Sequence, residues 1–232
     1  MNKSSRLCDY FMVTVWFGVL FAVAFILLYP STHALFVATT KIHPYLMGFV
    51  KVAILATMGE LMSLRIVAGE WEKPVGLHYR AFVWGLLGMA FVIVFHIFAV
   101  GIAGSMNKAL LPTTANQGIN KVLFALFTST FMNLAFGPTF MLFHRVTDTF
   151  IDLGEGRLNK IMKVKLADVI DKIDFHGFIS FVVIKTIPIF WIPAHTVTFM
   201  LAPEYRVLMA SFLSIAMGGI LAFAKRLKPQ TA

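Results

Sequence analysis

Three charged residues stand inside stretches that otherwise read as membrane-spanning helix: Lys51, Glu60 and Lys185. A charge deep in a bilayer costs roughly 2.5–3.5 kcal/mol on insertion scales, so such a group normally faces a partner or a watery path. The chemistry within their reach is ion or solute passage, in which a carboxylate and two ammonium groups attract, pair with or gate a charged species. Lys51 and Glu60 cannot satisfy each other. Nine residues of helix set them about half a turn apart around the axis and about 13.5 Å apart along it. Counting from the helix ends brings Glu60 and Lys185 to one level, with Asn133 near it, and predicts a Glu60–Lys185 pair as a central gate. Lys51, His96 and His195 fall in a second, outer layer. Pro188 and Pro193 interrupt the helix just beyond Lys185, and broken helices at membrane depth line cavities or polar packing sites.

The same residues fit a second class of protein. A buried Lys–Glu pair can simply fix helix order, as in a structural or accessory subunit of a larger membrane complex. His96 and His195 also match the arrangement that holds a haem between two helices. One such pair is a weak signal, and no cofactor is expected. No phosphate-binding loop, metal-ligand cluster or nucleophile elbow occurs, so neither a metal nor an enzyme activity is expected.

The elements that must position these groups are long apolar helices. The chain has 232 residues, 59% of them hydrophobic and 13% charged, a balance that a soluble domain has no use for. Six stretches, at 11–29, 45–68, 80–103, 120–144, 175–201 and 203–225, are long enough to cross the roughly 30 Å hydrocarbon core. The first is too long for a secretory signal core and reads as a retained span. The expected fold is therefore one all-α membrane domain over 1–232, a polytopic bundle of about six helices.

Basic residues mark its orientation. Fourteen of the 20 fall before the first span, in the second-to-third and fourth-to-fifth links, and in the tail with Lys225, Arg226 and Lys228. Only Lys41, Lys108, Lys121 and Arg206 lie on the other side, which predicts that both termini are cytosolic. The net charge of +9 is explained by that asymmetry, and nucleic-acid binding is not expected. The membrane would be the inner one of a bacterium, or a mitochondrial or peroxisomal one in a eukaryote.

Two further patterns concern packing. Within 157–174, Leu158, Ile161, Met162, Leu166, Val169, Ile170 and Ile173 recur at helical spacing among lysines and aspartates. This predicts an amphipathic helix lying on the cytosolic interface of the bilayer. Ala210, Ser214, Gly218 and Ala222 recur every fourth position of the last span, a stripe that lets another helix approach closely, within the bundle or between copies.

The order of motifs resembles, distantly, the family of the twenty-two-kilodalton peroxisomal membrane protein, which has mitochondrial inner-membrane members. His43-Pro44 leads into a helix that contains Gly59-Glu60. Arg80 follows, and then His96-Ile97-Phe98. Trp191, His195, Thr198-Phe199, Pro203 and Arg206 are similar to the C-terminal signature of the family, with His195 and Thr198 replacing its Gln and Asn. The resemblance covers roughly residues 41–226 and leaves an extra N-terminal span. It implies a channel-like or pore-forming organelle-membrane protein, oligomeric, with no particular cargo.

Overall fold

In the computed structural model, which describes residues 3–227, the chain is helical throughout, with no strand among those residues. Lys228 lies outside them. The elements are α1 (Lys3–Leu28), α2 (Pro30–Ile42), α3 (Pro44–Ala68), α4 (Leu77–Asn107), α5 (Gln117–Ala135) and α6 (Gly137–Leu153). Three short turns, α7 (Leu158–Ile161), α8 (Leu166–Lys172) and α9 (Phe175–Gly177), lead into a π-helix over Phe178–Trp191. Then come α10 (Ile192–Met200) and α11 (Pro203–Leu227).

Proline sets several of the joints. It lacks the N–H that a helix start leaves unpaired in any case, and its fixed φ suits the first turn. Pro30, Pro44, Pro138 and Pro193 all occupy such starts. Pro30 makes a helix of residues 30–42, where the sequence suggested only a link. Pro138 turns the expected fourth span into a pair, α5 and α6, bent by 45° at Phe136. The far end of α3 closes on Gly69, whose φ of 84° is the left-handed conformation that a helix stop favours.

Four helical stretches are long and apolar enough to cross a membrane: Asp9–Leu28, Pro44–Ala68, Leu77–Asn107 and Phe175–Met200. The bent α5–α6 pair makes a fifth if it counts as one span. Large apolar side chains such as Phe21, Leu28, Ile184 and Ile189 lie exposed on the outside, as a lipid-facing surface requires.

The interior is organised around α3, which packs against both α4 and α11. Glycines set the spacing. A Cβ on Gly88 would sit 2.2 Å from the Gly48 carbonyl oxygen, and one on Gly218 would sit 3.1 Å from the Gly59 carbonyl oxygen. The stripe Ala210–Ser214–Gly218–Ala222 therefore lies at a seam inside this chain, with Ser214 and Ile215 backbone against Gly59. Val52, Ala56, Phe91, Phe95, Ala125, Met132 and Phe199 fill the space beside it.

The segment 157–174 differs from the single amphipathic helix expected of it. It is broken into α7 and α8, and only Val169 and Ile173 are buried. Leu158, Met162, Leu166 and Ile170 stay exposed. The helical spacing was real, but α8 docks on α6 with just one edge of the stripe.

Candidate functional site

Glu60 lies on the inward part of α3, and its partner is Arg80 of α4, not Lys185. Arg80 Nη1 stands 3.0 Å from Glu60 Oε1 and 3.0 Å from Asp148 Oδ2, while Nη2 is 2.6 Å from Asp152 Oδ1. Arg80 Nε also donates to the Val75 carbonyl at 3.0 Å. The planar guanidinium fork can meet this many acceptors at once, where an ammonium could not. Asp148, one turn beyond His144 on α6, is 3.5 Å from its Nδ1. Three carboxylates thus converge on one buried cation.

Lys185 is exposed on the π-helix, and no hydrogen bond or ion pair joins it to another described residue. Counting residues along a span estimates depth but carries no direction around the axis. The i→i+5 bonding of the π-helix, with Pro188 inside it, further shifts which residues share a face. The expected opening of the helix at Pro188 and Pro193 is replaced by this continuous winding into α10.

The Glu60–Arg80 cluster borders a cavity of about 470 Å³, walled by Trp84, Phe140, Phe181 and Trp191 and reaching Ser214 and Gly218 on α11. Five polar atoms of its lining residues are buried without a hydrogen-bond partner among the described residues: Glu60 Oε2, Asp148 Oδ1, His144 Nε2, Trp84 Nε1 and Trp191 Nε1. A buried polar atom left unpaired costs about 1–3 kcal/mol. Five beside one cavity stand out, because buried polar atoms are ordinarily hydrogen-bonded.

Asn133, expected beside Glu60, serves another residue. Its Oδ1 lies 3.1 Å from His195 Nδ1, and its amide donates to the Ser129 carbonyl at 2.8 Å. Ser129 in turn donates to the Ile192 carbonyl at 2.7 Å, tying α5 to α10. His195 also stacks on Trp191 at 5.3 Å between ring centres. Asn133→Leu leaves the imidazole unpaired in the core, and a loss of about 1–3 kcal/mol is expected, read as a lower Tm in detergent.

Lys51 and His96 meet at a second cavity, of about 480 Å³, at the opposite end of α3. His195 is not part of it, so the expected outer layer divides in two. His96 is exposed on α4, while His195 is buried against Asn133. The two histidines thus occupy different settings instead of a shared haem-like pair. Of the resemblance residues, Pro44, Pro203 and Arg206 line this second cavity, and His43 joins α2 to α3. Thr198 is buried and donates to the Ala194 carbonyl, and Arg206 lies over the ring of Phe199 at 5.4 Å.

Sequence reasoning missed His144, Asp148 and Asp152. The signal was present as a repeat of four, His144-x-x-x-Asp148-x-x-x-Asp152, which puts all three on one helical face. Ending the fourth span at 144 hid it. Among the described residues no group of three or more His, Cys, Asp or Glu is arranged to hold a metal ion. No family model, curated protein or solved structure matches the chain.

Proposed function

We propose that this is an integral membrane channel or transporter-like protein passing small solutes or ions, with the Glu60–Arg80–Asp148 cluster on its path. One observation carries the reading: a cavity of about 470 Å³ between membrane-type helices, with Glu60, Asp148 and His144 among the residues that line it. Charges inside such a bundle mark routes for polar species. Six crossings with both termini on the cytosolic side, and membership of the peroxisomal membrane protein family, belong to the same proposal. The basic links and the tail support the first, and the resemblance running from His43 to Arg206 supports the second.

The test is flux through proteoliposomes holding the purified chain, across small anions, cations and neutral metabolites. Glu60→Gln and Asp148→Asn each remove a negative charge while keeping the shape. Either is expected to change flux by roughly ten-fold or more, the scale on which a charged cleft concentrates ions, and to move preference toward anions. Unchanged flux in both folded variants takes the cluster off the path.

A second reading, an accessory subunit of a larger membrane complex, is favoured by the saturation of Arg80, which binds like a structural pin. Absence of any flux from the folded, inserted chain, together with a stable hetero-complex by native mass measurement, would select it.

A further inference from the structure

The cavity at the N-terminal end of α3 carries charge of the opposite sign. It is lined by Lys41, Lys51, Arg206 and His96, with Glu204 as its one carboxylate. Glu204 Oε1 is drawn to Lys41, at 2.9 Å, and Oε2 is buried without a hydrogen-bond partner among the described residues. Lys51 is only 6% exposed, yet no carboxylate neutralises it. Its Nζ donates to Thr40 Oγ1 at 2.9 Å and to the Glu204 backbone carbonyl at 3.4 Å, and it lies 4.3 Å above the ring of Phe36. Arg206 spends Nε and Nη2 on the Leu201 and Phe199 carbonyls, with no hydrogen bond from Nη1.

Backbone adds to this field. Pro44 and Pro203 both line the cavity, and they begin α3 and α11, each 25 residues long. The N-terminus of a helix presents unpaired N–H groups and the positive end of its dipole. The start of α3 has no side-chain cap. The uncapped end of α3 therefore converges with two side-chain cations on one space, while the end of α11 carries Glu204 in its first turn.

We infer that this cavity binds a small oxyanion, a carboxylate or phosphate group, with Lys51 and Arg206 as its ligands. A volume of about 480 Å³ exceeds what inorganic phosphate needs and suits a metabolite, or the headgroup of an anionic lipid. Lys51 supplies the buried charge, and Arg206 offers its free Nη1 hydrogens to a second oxygen. The aliphatic wall from Val92 and Ile93 takes up the carbon part of the ligand. As an assignment of cargo this rests on the transport reading. As a binding site it does not, because binding is measured at equilibrium without a gradient.

The experiment uses the full chain in nanodiscs, titrated with succinate and with inorganic phosphate against chloride at equal ionic strength. Binding is read as saturable thermal stabilisation and by calorimetry. In phosphatidylcholine discs at least one of the two anions is expected to bind. Lys51→Met and Arg206→Gln should each weaken it by about ten-fold or more, the worth of one charge-assisted contact. Lys51→Met replaces an uncompensated buried charge by an apolar side chain of similar length, so the folded protein persists.

Repeating the titration with phosphatidylglycerol in the discs separates the sources. Affinity that falls as that lipid is added assigns the site to a lipid phosphate, and unchanged affinity assigns it to a soluble anion. Equal binding by wild type and both variants, or no saturable effect in phosphatidylcholine discs, overturns the inference.

Discussion

Arg80→Met is expected to cost about 3–5 kcal/mol of stability, the scale for removing one partner of a buried ion pair. The size follows from what the side chain holds. Arg80 bridges Glu60 of α3 to Asp148 and Asp152 of α6, and it anchors the α3–α4 link through the Val75 carbonyl. Without it, Glu60 and Asp148 are two negative charges facing each other in a space walled by aromatic rings. The measurement is the unfolding midpoint of the purified chain in mild detergent. Glu60→Gln and Asp148→Asn introduced together with Arg80→Met should restore part of the loss, since the penalty comes from the stranded charges. Arg80→Lys should behave more like the methionine variant than like wild type, because a compact ammonium with three donors cannot span the four acceptors that the guanidinium fork reaches. A loss under about 1 kcal/mol, as an exposed ion pair would give, would show that the cluster is open to water.

How much of this was legible in the sequence divides along physical lines. Apolar runs fix that the helices are long and membrane-like, because hydropathy is a property of composition. The positions of α3 and α4 follow within about four residues, and α1 begins eight residues before the expected first span. Joints were harder. Whether Pro30 restarts a helix or ends one depends on what its neighbours pack against, and the bend at Phe136 needs α6 to find Trp84 and His144 in contact. The charged residues Lys51 and Glu60 were found readily, since a charge inside an apolar run is conspicuous. Their partners were not, because pairing depends on azimuth as well as depth. Arg80 was legible as a basic residue at a span end, and its length lets it reach back into the bundle. Lys185 reads in sequence like Lys51, a charge inside an apolar run, and lies on the outer surface. Only the packing of the π-helix separates the two cases.

Gly88→Leu should be the most damaging substitution that leaves every charge in place. The Cβ of any residue at 88 meets the Gly48 carbonyl oxygen at 2.2 Å and Val52 Cβ at 2.8 Å, distances that backbone cannot tolerate. The α3–α4 seam has to open, and overpacking of this kind costs about 1–3 kcal/mol or more. The same seam holds Glu60 opposite Arg80 and sets Lys51 and His96 on one cavity, so both cavities change shape when it parts. Flux and oxyanion binding should fall together with Tm, which separates this variant from Lys51→Met, expected to weaken binding in a protein that stays folded. Gly101→Leu provides the control on the same helix. Nothing lies within 4 Å of a Cβ there, and leucine is the better helix former by up to about 1 kcal/mol. Stability is thus expected to hold or rise at 101 and to fall at 88. Equal outcomes at the two positions would mean that α3 and α4 are not in backbone contact, and that the positioning of both charged clusters has another origin.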